Sequence, residues 1–230
     1  MKRLAIVPAR GGSKRLPRKN ILPLDGKPLI LWTLEAAIKS CVFDTIIVST
    51  DDDEIAEIAD IEGVDVVMRP DHLSQDASTT DEVCVYVLDE LEAVGKSFDS
   101  VSCLYPTAPL RDSDDIKAVV ELVSTDRYSK SMAVTEYIYP FHQAMRVTGN
   151  GGLIPLFPDQ ILKRRSDVPK TYVGNGSTYT AMVSEYRRTK DFVTGDVGCH
   201  IMPQWKSTDI DEKIHFDLVT LLYQSHVGKR

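Results

Sequence analysis

The sequence predicts a three-layer α/β fold built on a mostly parallel sheet. Short apolar runs alternate with amphipathic stretches through the first 125 residues, and polar or Gly-rich segments follow the apolar runs. This alternation is typical of strand–helix–strand units, whose right-handed crossovers place parallel strands side by side. The 230 residues, of which 43% are hydrophobic, are enough for one large domain with a buried core.

The first half of the chain supplies most of this pattern. Four apolar runs predict strands buried on both faces, at Leu4–Ala9, Thr45–Thr50, Val64–Met68 and Ser100–Tyr105. Helical patterns follow at Pro28–Ser40, Asp52–Glu62, Thr80–Gly95 and Asp112–Ser124. Asp52, Thr80 and Asp112 are the expected N-caps, because their short side chains accept hydrogen bonds from backbone N–H groups.

The second half is less regular. A strand is predicted at Ser131–Thr135, and residues 137–173 then contain four prolines and the turn Gly149–Gly152. We expect an insertion with a hairpin there. Further strands are predicted at Ser177–Val183 and Val197–Met202. A closing helix from Glu212 places four apolar residues on one face: Ile214, Leu218, Leu221 and Leu222.

Composition excludes several classes of protein. The net charge of −7 disfavours general nucleic-acid binding, which uses a basic surface. No apolar run approaches the roughly 20 residues that span a bilayer, so no membrane association is expected. The four cysteines are scattered without CxxC spacing, which argues against a zinc site or disulfides and favours a reducing cytoplasm.

Cations are concentrated after the first predicted strand. Five Lys and Arg residues and no acidic residue lie between Arg10 and Asn20. Gly11 and Gly12 allow backbone N–H groups to turn inward, Ser13 offers a hydroxyl, and Arg10 and Lys14 supply charge for phosphate oxygens. Neither GxxxxGK[ST] nor GxGxxG is present, which excludes those two nucleotide loops. A solvated basic turn is the alternative; the residues favour phosphate binding.

The segment Pro8–Lys14, followed by Lys19 and Asn20, resembles the opening signature of the acylneuraminate cytidylyltransferases. These are the CMP-sialic acid synthetases and their relatives that act on legionaminic and pseudaminic acids. Further similar segments follow in the same order at Ser49–Asp51, Arg69–Pro70, Tyr105–Arg111, Asn175–Tyr179 and Asp209–Asp211. The resemblance implies a Rossmann-like nucleotidyltransferase fold. It also implies transfer of CMP from CTP to the C2 hydroxyl of a nonulosonic acid, with release of pyrophosphate.

The same resemblance assigns roles to individual residues. Arg10, Lys14 and Asp211 are expected to be catalytic. The expected nucleotide contacts are Ala9, Arg10, Gly11, Gly12, Ser13, Lys14, Asn20, Arg69, Thr79 and Thr80. For Thr80, helix capping is an alternative role that the residues themselves favour.

Asp209 and Asp211 flank Ile210. In an extended segment both carboxylates face one side, an oxygen set that suits Mg²⁺. The residues alone equally allow Asp211 to cap the last helix and Asp209 to lie in a turn. The resemblance implies that the pair holds Mg²⁺, the one cofactor expected. The cluster Asp51–Asp53 is explained as negative charge at a helix N-terminus and is left out of the metal site.

The resemblance places the sugar at Tyr105, Thr107, Arg165 and Tyr179. Sialic-acid members more often have Gln where this chain has Tyr105, so the identity of the sugar stays open. A guanidinium suits a sugar carboxylate, and Arg164 or Arg165 can supply it, although a solvated basic turn explains both. Arg111 can equally be an exposed charge. His142 is expected to be structural or to contact substrate rather than to act as a base.

Two further expectations concern assembly and rival functions. The resemblance implies a homodimer in which the insertion, about residues 137–173, completes the sugar pocket of the neighbouring subunit. Rivals are the same chemistry on an eight-carbon acid such as Kdo, a nucleotidyltransferase for neutral or phosphorylated sugars, and a non-catalytic nucleotide-sugar-binding protein.

Overall fold

The chain folds around a mostly parallel sheet, as seen in a computed structural model that describes residues 1–124 and 127–228. The strands, in chain order, are β1 (Arg3–Pro8), β2 (Pro23–Leu24), β3 (Lys27–Pro28), β4 (Thr45–Thr50), β5 (Asp65–Met68), β6 (Ser100–Leu104), β7 (Lys130–Glu136), β8 (Met145–Val147), β9 (Leu153–Pro155), β10 (Tyr172–Met182) and β11 (Val197–Ile201). In the described residues the large sheet has the order β11-β7-β10-β6-β1-β4-β5. β10 runs antiparallel to β6 and β7, and the other pairs are parallel. The predicted α/β class is confirmed.

The helices are α1 (Leu29–Ser40), α2 (Asp53–Ile61), α3 (Thr80–Ala93), α4 (Ser113–Ser124), α5 (Val183–Thr189) and α6 (Lys213–His226). All but the short α5 were expected from the sequence. Within the two described ranges, none of these helices has the length and apolar character needed to cross a bilayer. Asp52 caps α2 by accepting from the N–H of Ile55 at 3.1 Å, and Asp112 accepts from the N–H of Asp115 at 3.1 Å.

The predicted cap of α3 is wrong by one residue. Thr79, not Thr80, accepts from the N–H of Glu82 at 3.2 Å, and the Glu82 carboxylate accepts from the N–H of Thr79 at 2.7 Å. This reciprocal capping box leaves the side chain of Thr80 free of the capping role.

Two other expectations need correction. β5 is an edge strand with exposed ends, not a strand buried on both faces. On α6, Val219 and Tyr223 face the core, whereas Ile214, Leu218 and Leu221 are exposed. Leu222, the fourth residue of the predicted apolar face, packs against the core, so the core covers only one edge of that face.

The core lies on both faces of the sheet. Ala5 and Val7 of β1 pack with residues of α1, α2 and α4, whereas Leu4 and Ile6 pack with residues of α3 and α5. Successive side chains of a strand point to opposite faces, so a strand covered by helices on both sides reads as a continuous apolar run. A third cluster joins α6 to α1 and contains Ile210.

Residues 145–155 form the predicted hairpin, in which β8 pairs antiparallel with β9 around a turn at Gly151. Most of its apolar side chains are exposed: Met145, Val147, Leu153, Ile154 and the following Leu156. The hairpin therefore contributes little to the core of this chain.

Arg111 fixes the carboxyl end of the sheet. Its residue is only 3% exposed, which corrects the alternative of an exposed charge. The guanidinium donates to the carbonyl of Ser177 at 2.5 Å, to the hydroxyl of Thr33 at 2.6 Å and to the carbonyl of Tyr105 at 3.2 Å. Burial lowers the pKa of Arg111 to about 10. The side chain thus joins the loop after β6, the middle of β10 and helix α1.

Replacing Arg111 should destabilise the fold. Arg111→Met keeps a long apolar chain but removes three hydrogen bonds of a buried charged group, so we expect the free energy of unfolding to fall by about 3 kcal/mol. Urea denaturation followed by circular dichroism measures the change. The control Arg188→Met removes an exposed Arg whose partner is Glu185 on the same helix, and should change stability by less than about 0.5 kcal/mol. Equal effects in the two variants would contradict the role given to Arg111.

Candidate active site

Two adjoining cavities lie at the carboxyl ends of β1, β5 and β6. The central cavity, of about 240 Å³, is walled by the loop after β1, the segment after β5, the segment after β6 and residues 209–211. The basic cavity, of about 390 Å³, shares five residues with it: Arg10, Lys19, Asn20, Asp76 and Asp211. Parallel strands bring segments distant in sequence to one edge of a sheet, where open α/β folds bind ligands.

The loop after β1 lines both cavities with cations. Asn20 is buried and donates to the carbonyl of Arg10 at 2.9 Å, which holds the two ends of the loop together. Arg10 and Lys14 extend toward Asp76, at 3.0 Å and 2.6 Å. Arg18 behaves differently because its guanidinium binds the carboxylate of Asp52, with one contact at 3.0 Å. The loop therefore offers Arg10, Lys14, Arg15 and Lys19 to a ligand, but not Arg18.

Gly11 acts differently from the prediction for the two glycines of the loop. Gly11 donates its N–H to the carboxylate of Asp51 at 3.0 Å, so this donor is not free for an anion. A Cβ at Gly11 would collide with the carboxylate of Asp52, which makes glycine necessary for close approach. Gly12 has open space around its Cα, and Ala9 uses its N–H on the carbonyl of Ser49 at 2.9 Å. The side chains of this loop that line the basic cavity, Ser13 among them, therefore remain the candidates for phosphate contacts.

The two aspartates of residues 209–211 both face the central cavity. Ile210 between them is fully buried, and its N–H donates to the carbonyl of Thr107 at 2.9 Å. The extended segment predicted from the sequence is thus present. Asp211 is not the cap of α6, which begins after Glu212; its carboxylate instead contacts Lys19 at 3.1 Å and Arg15 at 3.4 Å.

Asp209 depends on a glycine in β10. Gly176 has φ of +65°, and a Cβ there would lie 2.8 Å from the carboxylate of Asp209. The pairing of β10 with β7 shifts register between Gly174 and Tyr179, which is the local irregularity that brings Gly176 to this position. Only glycine combines this backbone conformation with this contact.

The two carboxylates have opposite environments. Burial raises the pKa of Asp209, and the neighbouring charge of Asp211 adds to this, although a hydrogen bond with Thr107 opposes it. Burial acts the same way on Asp211, but the contact with Lys19 outweighs it and lowers the pKa. Among the described residues, Oδ1 of Asp209 is buried without a hydrogen-bond partner. A buried, unsatisfied carboxylate oxygen beside a second carboxylate fits a hard divalent cation such as Mg²⁺.

The opposite wall of the central cavity is formed by Arg69 and the start of α3. Arg69 is buried, and burial lowers its pKa. In the described chain its Nε has no hydrogen-bond partner, and its nearest carboxylate, Asp51, is 3.9 Å away. Thr79 and Thr80 also line this wall. A buried guanidinium with an unused Nε–H is suited to donate to an oxygen or a ring nitrogen of a ligand.

The expected sugar contacts are only partly brought together. Tyr105 and Thr107 line the central cavity. Tyr179 is not among its lining residues and packs between Tyr105, at a ring-centroid distance of 5.8 Å, and Phe192, at 6.1 Å. Arg165 lies in a different cavity of about 390 Å³, where it contacts the Glu136 carboxylate at 3.4 Å.

Among the described residues, the one histidine that hydrogen-bonds to the aspartate pair is His215, and it contacts the backbone rather than a carboxylate. His142 is fully buried, with Nε2 at 3.2 Å from the carbonyl of Lys163, which agrees with a structural role. His215 accepts the N–H of Asp211 on Nδ1 at 3.2 Å. His200 contacts Asp115 at 3.1 Å, away from both cavities.

Three residues of the site were not assigned from the sequence: Lys19 as a partner of Asp211, Arg15 as its neighbour, and Asp76. The basic composition of the loop indicated Lys19 and Arg15 but not their target, 192 residues away in the case of Lys19. Asp76 had no local signal, because an aspartate in a polar loop is ordinarily solvated.

The chain is similar to known proteins in both sequence and fold. A protein-family model described as "Cytidylyltransferase" matches residues 4–199. The chain is 33% identical over 226 residues to the pseudaminic acid cytidylyltransferase of Campylobacter jejuni, covering 97% of both chains. It is 33% identical over 222 residues to the N-acylneuraminate cytidylyltransferase of Escherichia coli O18:K1:H7, covering 96% of this chain and 52% of that one. A CMP-2-keto-3-deoxy-manno-octonic acid synthetase, solved in complex with CTP, has the same fold, with a TM-score of 0.71, 16% identity and coverage of 99% and 100%.

The two carboxylates should affect stability in opposite directions in metal-free buffer. Asp209 has a raised pKa in the folded protein, so its ionised form is disfavoured there, and Asp209→Asn should raise the free energy of unfolding at pH 7 by about 1 kcal/mol. Asp211 has a lowered pKa, so its ionised form stabilises the fold, and Asp211→Asn should lower stability by less than about 1 kcal/mol.

Both differences should shrink as the pH falls. The gain from Asp209→Asn fades as the pH drops through the raised pKa toward the ordinary value of 3.8. The loss from Asp211→Asn fades at lower pH, as the pH passes from 3.8 through the lowered pKa. Urea unfolding at a series of pH values measures both. Destabilisation at pH 7 by Asp209→Asn would be inconsistent with the environment described for this carboxylate.

Proposed function

Because the chain belongs to the cytidylyltransferase family, we propose that it transfers CMP from CTP to the C2 hydroxyl of a nonulosonic acid and releases pyrophosphate. It is a CTP-dependent nucleotidyltransferase, as the named relatives are. The observation that carries the proposal is the contact of Lys19 with Asp211, at the junction of the two cavities. It places the cationic loop, suited to phosphates, directly beside a carboxylate pair suited to a metal ion.

The basic cavity is proposed to bind the triphosphate. Arg10, Lys14, Arg15 and Lys19 supply four positive charges there, and Ser13 supplies a hydroxyl. An array of this kind holds phosphoryl groups in place and neutralises the charge that develops on the leaving pyrophosphate. Lys14 is the most exposed of these cations.

The central cavity is proposed to hold the nucleoside and the reacting C2 hydroxyl. Arg69 on one wall has an unused Nε–H for the cytosine ring, and Thr80, whose side chain has no capping role, offers a hydroxyl. In the proposed reaction the C2 hydroxyl loses its proton to water and its oxygen forms a bond to the α-phosphorus. The bond from that phosphorus to the bridging oxygen breaks, and its electron pair leaves with pyrophosphate. Positioning and charge neutralisation suffice, so no covalent enzyme intermediate is required.

Asp209 and Asp211 are proposed to hold Mg²⁺. The unsatisfied Oδ1 of Asp209 supports this assignment. When bound, the ion supplies charge neutralisation for triphosphate oxygens. Lys19 already contacts Asp211, and its position lets it compensate the charge of the carboxylate pair when the ion is not bound.

The sugar acid is proposed to be of the nonulosonic class. Support comes from the Campylobacter jejuni and Escherichia coli relatives, which are named for pseudaminic acid and N-acylneuraminate. Tyr105 lines the central cavity, and burial raises the pKa of its hydroxyl, which therefore stays protonated at neutral pH. Which member of the class is used depends on how this phenol is placed against the acyl and hydroxyl groups of the sugar.

We further propose a homodimer in which one subunit supplies Arg165 to the central cavity of its partner. Within one chain Arg165 lies in a separate cavity, 60% exposed and paired with Glu136. The hairpin β8–β9 beside it exposes apolar side chains that the core leaves uncovered. An interface formed by this segment would bury them and bring a carboxylate-binding guanidinium to the partner's substrate.

The cytoplasm is the proposed location. The described cysteines, Cys41, Cys84, Cys103 and Cys199, are all free thiols, which is usual in a reducing compartment.

The reaction is tested by measuring pyrophosphate release from CTP and Mg²⁺ with four acids: N-acetylneuraminic, legionaminic and pseudaminic acids and Kdo. Activity is expected with one of the nine-carbon acids and should disappear on addition of EDTA. Lys14→Ala should lower the rate at least roughly 100-fold, because one phosphate contact in a preorganised site is removed. The control Lys117→Ala changes an exposed Lys on α4 and should leave the rate unchanged.

Other outcomes of this assay separate the rival functions. Activity with Kdo alone would keep the reaction type and overturn the substrate class. If the protein binds CTP but releases no pyrophosphate from it with any of the acids, the result would count against catalysis and favour a binding protein.

The dimer is tested by mixing two inactive variants. Arg165→Ala and Lys14→Ala should each be inactive alone, since each lacks one part of every site. In an equilibrated mixture half the dimers are hybrid, and half the sites of a hybrid are intact. About a quarter of the wild-type activity should therefore return, with sedimentation showing dimers at micromolar concentration. No recovery from hybrid dimers would show that Arg165 serves its own subunit or none.

A further inference from the structure

The carboxylate of Asp76 occupies the place of an anion in the basic cavity. Its Oδ1 contacts Nη1 of Arg10 at 3.0 Å, and its Oδ2 contacts Nζ of Lys14 at 2.6 Å. The contact with Lys14, and then that with Arg10, keep the pKa of Asp76 below its ordinary value, so the group is ionised at neutral pH. Two cations bridged by two oxygens is the arrangement expected of a bound phosphoryl group.

Asp76 belongs to a short segment, residues 71–78, that is organised mainly by itself. The Ser78 hydroxyl donates to the carbonyl of His72 at 2.7 Å, and the side-chain amide of Gln75 donates to the carbonyl of Asp71 at 3.1 Å. Across residues 1–124 and 127–228, the ion pairs and hydrogen bonds that join this segment to residues outside 69–82 are those of Asp76. The segment is therefore tied to the loop after β1 through this one carboxylate.

A triphosphate cannot use Arg10 and Lys14 while Asp76 holds both. Each cation must exchange a carboxylate for a phosphate oxygen, and the displaced carboxylate then faces a multiply charged anion. Both ion pairs are partly exposed to water, so the exchange is reversible and each pair is weak. The same competition acts on pyrophosphate, the product that must leave this cavity.

We propose that Asp76 is an internal competitor of phosphate groups: it occupies Arg10 and Lys14 in the empty enzyme, yields them to CTP, and helps to displace pyrophosphate after the reaction. This rests on the proposed function, because it requires the triphosphate to bind these two cations. It assigns to Asp76 a role in setting nucleotide affinity and product release, distinct from metal binding or catalysis.

The test uses Asp76→Asn, which keeps the size of the side chain and removes its charge. Binding of CTP, inorganic pyrophosphate and cytidine is measured by titration calorimetry without sugar acid. We expect the Kd values of CTP and pyrophosphate to fall roughly three- to tenfold, the range that matches loss of one or two exposed ion pairs. The Kd of cytidine, which has no phosphate, should not change. In turnover, inhibition by pyrophosphate should strengthen by the same factor.

Asp71→Asn is the matched control. It removes one negative charge from the same segment, at a residue that makes no ion pair with Arg10 or Lys14, and should alter the Kd of CTP by less than about twofold. Unchanged or weaker binding of CTP by Asp76→Asn, or an equal gain in Asp71→Asn, would overturn the proposal. Failure of the wild-type protein to bind CTP would instead refute the proposed function, so the two failures are distinguishable.

Discussion

Arg111 is buried where the chain passes from β6 to α4, and within the described residues no carboxylate lies within ion-pair distance of it. A buried guanidinium without a counter-ion must find its partners among neutral acceptors. The acceptors here belong to three separate segments, at Thr33, Tyr105 and Ser177. Their positions are therefore set together. Ser177 follows Gly176 directly, so the same interaction holds the part of β10 that Asp209 approaches.

The aspartate pair follows from this arrangement. Ile210 anchors residues 209–211 in the core, and the extended backbone then directs both neighbouring carboxylates to the cavity. One of them receives Lys19 as a partner, and the other is left with a buried oxygen that no described group satisfies. An unsatisfied carboxylate destabilises the folded chain, and native proteins retain such groups mainly where a ligand satisfies them. The packing around Ile210 and the hydrogen bonds of Arg111 offset the destabilising effect of this buried carboxylate oxygen.

How much the sequence could predict depends on the range of each interaction. Strands that are covered on both faces can be predicted from their continuous apolar runs. The edge strand β5 has a similar run, so the sequence alone did not show that its ends are exposed. The cations of the loop after β1 are close together in the sequence and predict a phosphate site. Their partners were not, because the contact of Lys19 with Asp211 spans 192 residues. Tyr179 shows the same limit: a tyrosine on a strand suits packing and stacking on a sugar equally, and only the position of Phe192 shows that it packs.

The acidic residues near the basic loop divide its cations into two kinds. Arg18 is held by Asp52, a helix cap that also closes against Gly11, so this pair is part of the framework and shapes the loop. Arg10 and Lys14 are held by Asp76, which belongs to a segment with few other attachments. Clustered cations repel one another, so in a protein with a net charge of −7 the nearby carboxylates hold the cationic loop in place. Permanent pairing of one cation fixes the shape of the loop, and exchangeable pairing of the others keeps their charges balanced until a more highly charged anion takes them.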